Sequence, residues 1–277
     1  MSNQGDPMLL ENKTVVITGA GPGVGSAVAK AAVREGATVV LGARSAERLA
    51  ALADEIEQLG GKARWQCVDV TDLGSCMAFG DFAAEVGGGV DAVVNAAFWT
   101  EPEAPMVETP EEDWLRCLDV NVMGTWRVMT AMHPHLNQPG AAIVAIGSQA
   151  GTKPSATLAA YAAAKSAVTS LTSSAALQWG PGVRVNGILP GSIQGDGLRE
   201  WAAERAQTLG TTTEHELAVR AGRSPLGRIV TPAEIAETAI FLCSERASGI
   251  TGSFLDLDCG QHLGASPRQE DRAVLVG

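Results

Sequence analysis

Tyr161 is the only tyrosine of the 277-residue chain, and Lys165, one of five lysines, follows four residues later. On a helix, residues four apart share a face. An ammonium beside a phenol favours the phenolate and lowers its pKa from an ordinary value of about 10. The pair can therefore act as general acid and base at an alcohol–ketone interconversion. Ser148 lies thirteen residues before Tyr161, just past the apolar run Ala142–Ile146. Ligands of a parallel sheet bind beyond the carboxyl ends of its strands, which puts the Ser148 hydroxyl in reach of a substrate oxygen and its neighbour Gln149 at the same pocket. Asn121, in Asn121-Val-Met-Gly124, falls inside a long helical stretch. Its poor helix propensity there invites a local kink or a held water. Each residue alone has an ordinary explanation: a half-buried tyrosine with a snorkelling lysine, a loop serine, an asparagine tolerated on a polar face. Their occurrence together carries the argument.

A second constellation opens the chain. The strand-like run Thr14–Thr18 leads directly into Thr18-Gly-Ala-Gly-Pro-Gly-Val-Gly25 and an Ala-rich helix over 24–35. Gly19 permits a tight turn, Gly23 lets a pyrophosphate approach the backbone, and Gly25 lets the helix pack close to the sheet. The helix start, with Val24, offers free N–H groups and a positive dipole end to phosphates.

This TGxxxGxG turn, followed in order by Asn121, Ser148 and Tyr161-x-x-x-Lys165, resembles the short-chain dehydrogenase/reductase family. Pro225-Leu-Gly-Arg228, Pro232-Ala-Glu-Ile-Ala236 and Ile250-Thr-Gly252 extend the resemblance over residues 13–260. It implies a doubly wound, Rossmann-type fold with catalysis in the same domain and a hydride supplied by a nicotinamide cofactor. It also implies that Tyr161 passes the proton and that Ser148 orients the carbonyl. Lys165 would tune the phenol and hold the nicotinamide ribose, and Asn121 would hold a water linking Lys165 to solvent. Asp69 and Val70 stand where the family meets the adenine. Asn95-Ala96-Ala97-Phe98 stands where it usually reads NNAG, so Asn95 is kept and two positions depart. Pro190-Gly191 and the Ile193 backbone would meet the carboxamide, whereas Gly195 replaces a hydroxyl residue.

The family's NAD users carry Asp where this chain has Ala43, and Arg44 follows. Arg44, helped by Ser45, can pair with a 2′-phosphate, which favours NADP over NAD. Pro22, where many NADP users are basic, keeps NAD as the alternative.

The elements that must position these groups alternate. Strand-like runs at Thr38–Leu41, 63–68, 92–95, 142–146, 183–189 and 253–257 are separated by helical stretches at 47–59, 73–86, 111–132, 159–179 and 232–244. Such alternation predicts an α/β doubly wound, mostly parallel sheet in a single domain over 1–260. Residues 192–224 break the pattern, with Gly195, Gly197 and Gly210 as hinges, and read as an inserted substrate lid. Leu198 and Trp201 on this lid, with Phe98 and Trp99, would make an apolar wall for a hydrophobic ketone or alcohol. A tail runs from 261 to 277.

Composition excludes several classes. Hydrophobic residues make up 45%, enough for a sizeable core, and 20 basic against 31 acidic residues give a charge of −11, which repels nucleic acid. No apolar run approaches the roughly 20 residues of a membrane span. Five cysteines without a CxxC pair, and an N-terminus without a basic-then-apolar leader pattern, suit a cytoplasmic protein. His133-Pro-His135 and Glu214-His215-Glu216 lack metal-ligand spacing, so no metal is expected. Neither a GxSxG elbow nor a P-loop is present. A dinucleotide-sensing regulator is the non-catalytic alternative, and a methyltransferase would not need the Tyr–Lys pair. Long helices and an edge strand suggest a homodimer or homotetramer.

Overall fold

The computed structural model describes residues 8–264. Seven strands form one sheet: β1 (Thr14–Thr18), β2 (Thr38–Ala43), β3 (Lys62–Cys67), β4 (Ala92–Asn95), β5 (Ala141–Ile146), β6 (Val183–Pro190) and β7 (Phe254–Leu257). Their order is β3-β2-β1-β4-β5-β6-β7, and every pairing is parallel. All residues of β1 and β4 are buried, as continuous Val- and Ile-rich strands covered on both faces must be.

Alternate side chains feed two cores. Val15, Ile17, Val39 and Leu41 pack under α1 (Val24–Arg34), α2 (Ala46–Gln58) and α9 (Pro232–Cys243). Val16, Val40 and Val93 pack under α3 (Leu73–Gly87), α5 (Gly124–Met132) and α6 (Ala159–Trp179). The chain reverses direction across the sheet between β1 and β4, which is the switch point where such sheets bind ligands. Local chemistry fixes the helix starts. Ser45 caps α2 through Arg48 N, Asp72 caps α3 through Gly74 N and Ser75 N, and Thr231 with Glu234 forms a capping box on α9.

Most expected boundaries lie within a residue or two of the observed ones. One expectation changes in kind. The stretch read as a single helix over 111–132 is α4 (Glu111–Leu118), a π-turn (Asp119–Met123) and α5. The lid stretch is also more regular than expected, with α7 (Asp196–Leu209) and α8 (Thr213–Ala221). Gly195 and Gly210 flank α7, and Gly210 (φ 67°) ends it in the left-handed conformation. Gly197 is not a break: it sits in the first turn of α7. A short turn, Gln261–Leu263, starts the tail, whose remainder lies outside the described residues, as do Met1–Pro7. Among the described residues no helix is long and apolar enough to cross a membrane.

Candidate active site

Because the strands are parallel, the ends of β1, β4, β5 and β6 deliver Gly19–Gly25, Asn95–Trp99, Ser148 and Pro190–Ile193 to one edge of the sheet. A cleft of about 340 Å³ opens there, lined at its first turn by Gly19 and Pro22, beside β2 by Arg44 and Arg48, and beyond β3 by Asp69.

The first turn fits a pyrophosphate. Gly19 has φ 71°, and a Cβ there would stand 2.4 Å from Ala97 N. A Cβ on Gly25 would meet the Gly19 carbonyl oxygen at 2.1 Å, so only glycine lets α1 approach so closely. Gly23 gives α1 no side-chain cap, and the first N–H groups stay open to an anion. Asn95, buried, accepts a bond from Thr18 Oγ1 (3.1 Å) while its own Nδ2 has no protein partner. Ala96 and Ala97 line the cleft beside it.

At the adenosine end, Ser45 Oγ is engaged as the α2 cap, accepting Arg48 N at 3.3 Å. Asp69 Oδ1 accepts from Thr71 N (2.9 Å) and Thr71 Oγ1 (2.7 Å), which holds its carboxyl below the usual range. Asp72 caps α3, so Asp69 is free of that role. Arg48 and Arg116 line the same cleft, and Arg116 lies 4.6 Å over the Trp99 ring. Neither arginine was expected from the sequence. Arg48 was readable as four residues past Arg44 on α2, while Arg116 gave no local signal.

The catalytic candidates converge on the first turns of α6. Lys165 is 3% exposed, and its Nζ donates to the Ile146 carbonyl at 2.8 Å, 5.6 Å from the Tyr161 ring centroid. Ser148 Oγ accepts Ala150 N (3.1 Å) and so starts the turn Gln149–Gly151, and its hydroxyl acts to lower the pKa of Tyr161. The expected pull of Lys165 on the phenol is not the dominant effect. Desolvation pushes Tyr161 up to about 12, a Ser148 hydrogen bond works against it, and Cys117 and Glu101 add to the rise. Burial also pushes Lys165 down to about 8. At neutral pH the site therefore holds a protonated phenol beside a charged lysine.

Asn121 sits in the π-turn and is buried. Its Nδ2 donates to Trp99 O (2.7 Å) and Cys117 O (2.9 Å), so the side chain ties the turn to the loop after β4. The helical stretch is interrupted there by the π-turn, and the amide is spent on backbone.

The expected wall residues do not all meet. Phe98, 62% exposed, and Trp99 line the cleft with the cofactor candidates. Leu198 lines a separate cavity with Leu217, Ala218 and Ile229. Trp201 Nε1 instead donates to Glu103 Oε1 (3.1 Å), with Arg220 5.0 Å and Arg205 5.7 Å from its ring. Gln149 turns towards β7, where its Nε2 donates to Asp256 Oδ1 (3.1 Å). Gly191 N bonds Leu257 O (3.2 Å), and Ile193 pairs with Val230 beyond Pro190.

A family model described as Enoyl-(Acyl carrier protein) reductase matches residues 19–262. The chain belongs to the short-chain dehydrogenase/reductase family. It is 35% identical over 258 residues to the A-factor type gamma-butyrolactone 1′-reductase (1S-forming) of Streptomyces virginiae, covering 91% of this chain and 96% of that one. Among solved structures it resembles a short-chain type dehydrogenase/reductase from Mycobacterium ulcerans (TM-score 0.84, 31% identity, 96% of each chain). It also resembles an NAD+-bound xylitol dehydrogenase (TM-score 0.83, 27% identity, 89% of this chain and 98% of that one). Short-chain dehydrogenases/reductases are oxidoreductases that use NAD(P), and the cradle at Gly19–Gly25 fits that group.

Proposed function

We propose that the chain is an NADP(H)-dependent oxidoreductase that interconverts a carbonyl and a secondary alcohol, with Tyr161 as general acid/base. The observation that carries this reading is the meeting of Tyr161, Ser148 and Lys165 beside a glycine-lined cleft. The nicotinamide, when bound, supplies or accepts the hydride. In the reductive direction Tyr161 gives its phenolic proton to the carbonyl oxygen, which Ser148 orients and polarises through its own O–H. Lys165 holds a positive charge against the developing phenolate and would hold the nicotinamide ribose when the cofactor is bound. Asn121 fixes the loop that carries Trp99.

Arg44 and Arg48 beside β2, and Ala43 in place of an acid, support NADP. NAD(H) is the second reading, favoured by Pro22 in the first turn and by the likeness to an NAD+-bound enzyme. Trp99 and Trp114 pack in one cluster with Tyr161, which supports a small hydrophobic ketone or alcohol as substrate. Five unpaired thiols suit a cytoplasmic setting.

A screen of ketones with NADPH and NADH, and of alcohols with the oxidised cofactors, tests the reading on three proteins. Tyr161→Phe should lose at least ~10²-fold in kcat with cofactor affinity retained. Arg44→Ala should weaken NADP(H) by roughly 1.5–3 kcal/mol and leave NAD(H) little changed. Near wild-type turnover in Tyr161→Phe overturns the mechanism, and equal losses for both cofactors overturn the role of Arg44.

A further inference from the structure

Gln149 follows Ser148 directly and begins the short turn Gln149–Gly151. It is 7% exposed, so its amide is taken out of water. One half of that amide reaches far along the chain: Nε2 donates to Asp256 Oδ1 on β7 at 3.1 Å. The other half, Oε1, is buried and has no protein partner among the described residues. A buried acceptor without a donor costs folding free energy, and a leucine would fill the space without that cost. Sequences depart from a fully satisfied core mainly at functional positions. Here the amide ties the turn after Ser148 to the strand at the sheet edge. The same turn is wedged against α6. Gly151 O accepts from Ser166 Oγ at 2.5 Å, one residue past Lys165, and a Cβ on Gly151 would stand 2.8 Å from the Lys165 carbonyl carbon. Gln149 O closes the turn by accepting from Thr152 N (3.1 Å) and Thr152 Oγ1 (2.9 Å). Ser148 itself is extended (φ −166°, ψ 150°), and its Oγ accepts Ala150 N, so the place of the turn decides the place of the hydroxyl. The O–H of Ser148 stays available as a donor.

We propose that Gln149 is a positioning residue for Ser148: pinned to Asp256 on β7, it holds the turn that carries the serine hydroxyl in register with Tyr161 and Lys165 on α6. Contact with α6 fixes the far end of the turn, at Gly151. The bond to Asp256 fixes the near end, beside Ser148 itself. Since β6 lies between β5 and β7, the Gln149 side chain reaches past the neighbouring strand to make it. The acceptor is a carboxylate, which makes the bond stronger than one between neutral groups. A group near the reacting atoms that is displaced by about 1 Å loses much of its effect on the reaction. Gln149 therefore acts through Ser148 and not on the substrate. This inference rests on the proposed roles of Ser148 and Tyr161.

Gln149→Leu keeps the bulk and removes the donor. On a carbonyl substrate from the screen it should lower kcat roughly tenfold. Its affinity for the reduced cofactor that the wild type prefers, NADPH or NADH, read by fluorescence titration, should be unchanged. Asp256→Ala should lose the same factor, and the double variant no more than either single one, since all three remove one bond. Asp256→Asn keeps an acceptor for Gln149 Nε2 and should restore wild-type turnover. A bond of merely structural worth would lower Tm in Gln149→Leu and leave kcat per cofactor-binding site as in the wild type. That result overturns the proposal, and so do additive losses in the double variant. If Gln149→Leu does not fold, the two Asp256 variants decide, and equal turnover in both overturns it. A wild type that binds the cofactor and converts no carbonyl compound or alcohol fails the proposed reaction, and this role with it. A wild type that turns over beside unaffected variants fails this role alone.

Discussion

Lys165 meets one protein acceptor, the Ile146 carbonyl, and otherwise sits where water does not reach. Desolvation lowers its pKa from 10.5 to about 8. Below pH 8 both folded and unfolded chains bind the proton, and the folded chain bears the full cost of a buried charge. Between pH 8 and 10.5 the unfolded chain binds more protons than the folded one, so this residue's contribution to stability improves as pH rises through that window. Lys165→Met should therefore stabilise the protein at pH 7 by up to about 3 kcal/mol, and the gain should fade towards pH 10.5. Denaturant unfolding at the two pH values measures this, and a pH-independent difference between the proteins would show that the buried charge is not the cause. The same variant should lose turnover, since a strained charge at a reactive site is kept for chemistry. Residues of this kind were legible in the sequence because type and spacing alone identify them: a lone tyrosine with a lysine four residues on. Glu101 was not, since its partner is a backbone N–H sixty residues away and nothing local marks a loop carboxylate as buried.

At the scale of elements, the strand–helix alternation was readable because doubly covered strands are short apolar runs between amphipathic helices. The π-turn was not, because inserting one residue into a helical turn leaves the apolar pattern nearly continuous from Glu111 to Met132; only Asn121 hinted at it. The lid looked irregular because its helices bury few apolar residues, Ala202 and Ala206 on α7 and none on α8. Polar links hold it instead. Glu216, buried, accepts from Arg205 Nε (2.9 Å) and Thr211 Oγ1 (2.7 Å), and Arg220 Nε donates to Ser192 Oγ (2.6 Å). The bond from Trp201 Nε1 to Glu103 ties this unit to the loop that also carries Glu101. Trp201→Phe keeps the ring and removes that donor. The change should favour opening by about 1 kcal/mol, roughly fivefold, and amides over 196–209 should exchange correspondingly faster. In the wild type these amides should gain protection when NADP(H) and substrate bind. Equal protection in the free and ternary states would make the segment a fixed part of the core.

Across the whole molecule exposed large apolar side chains are scattered, and one group of them shares neighbouring helices. Leu115, Leu118, Met123 and Trp126 are exposed large side chains on α4, the π-turn and α5. Their spacing of three, five and three residues keeps them on one face, because the π-turn adds a residue between the second and third. α6 packs against α4, and its exposed positions are Ala163, Ser166, Ser170, Ser173, Ser174, Leu177, which is 86% exposed, and Gln178. Small residues let another helix approach closely, and exposed large apolar side chains beside them suit an interaction face. Among the described residues β7 pairs only with β6, so its far side is a sheet edge. A two-fold axis beside these helices would cover the patch on both copies with the same surface. The expected species is therefore a homodimer or homotetramer, and light scattering at micromolar concentration should give two or four times 28.5 kDa. Trp126→Glu sets a charge in the centre of the face and should shift the mass towards the single chain while leaving the circular dichroism spectrum unchanged. A wild-type protein of 28.5 kDa under these conditions would mean that the face is covered by something other than a second copy of the chain.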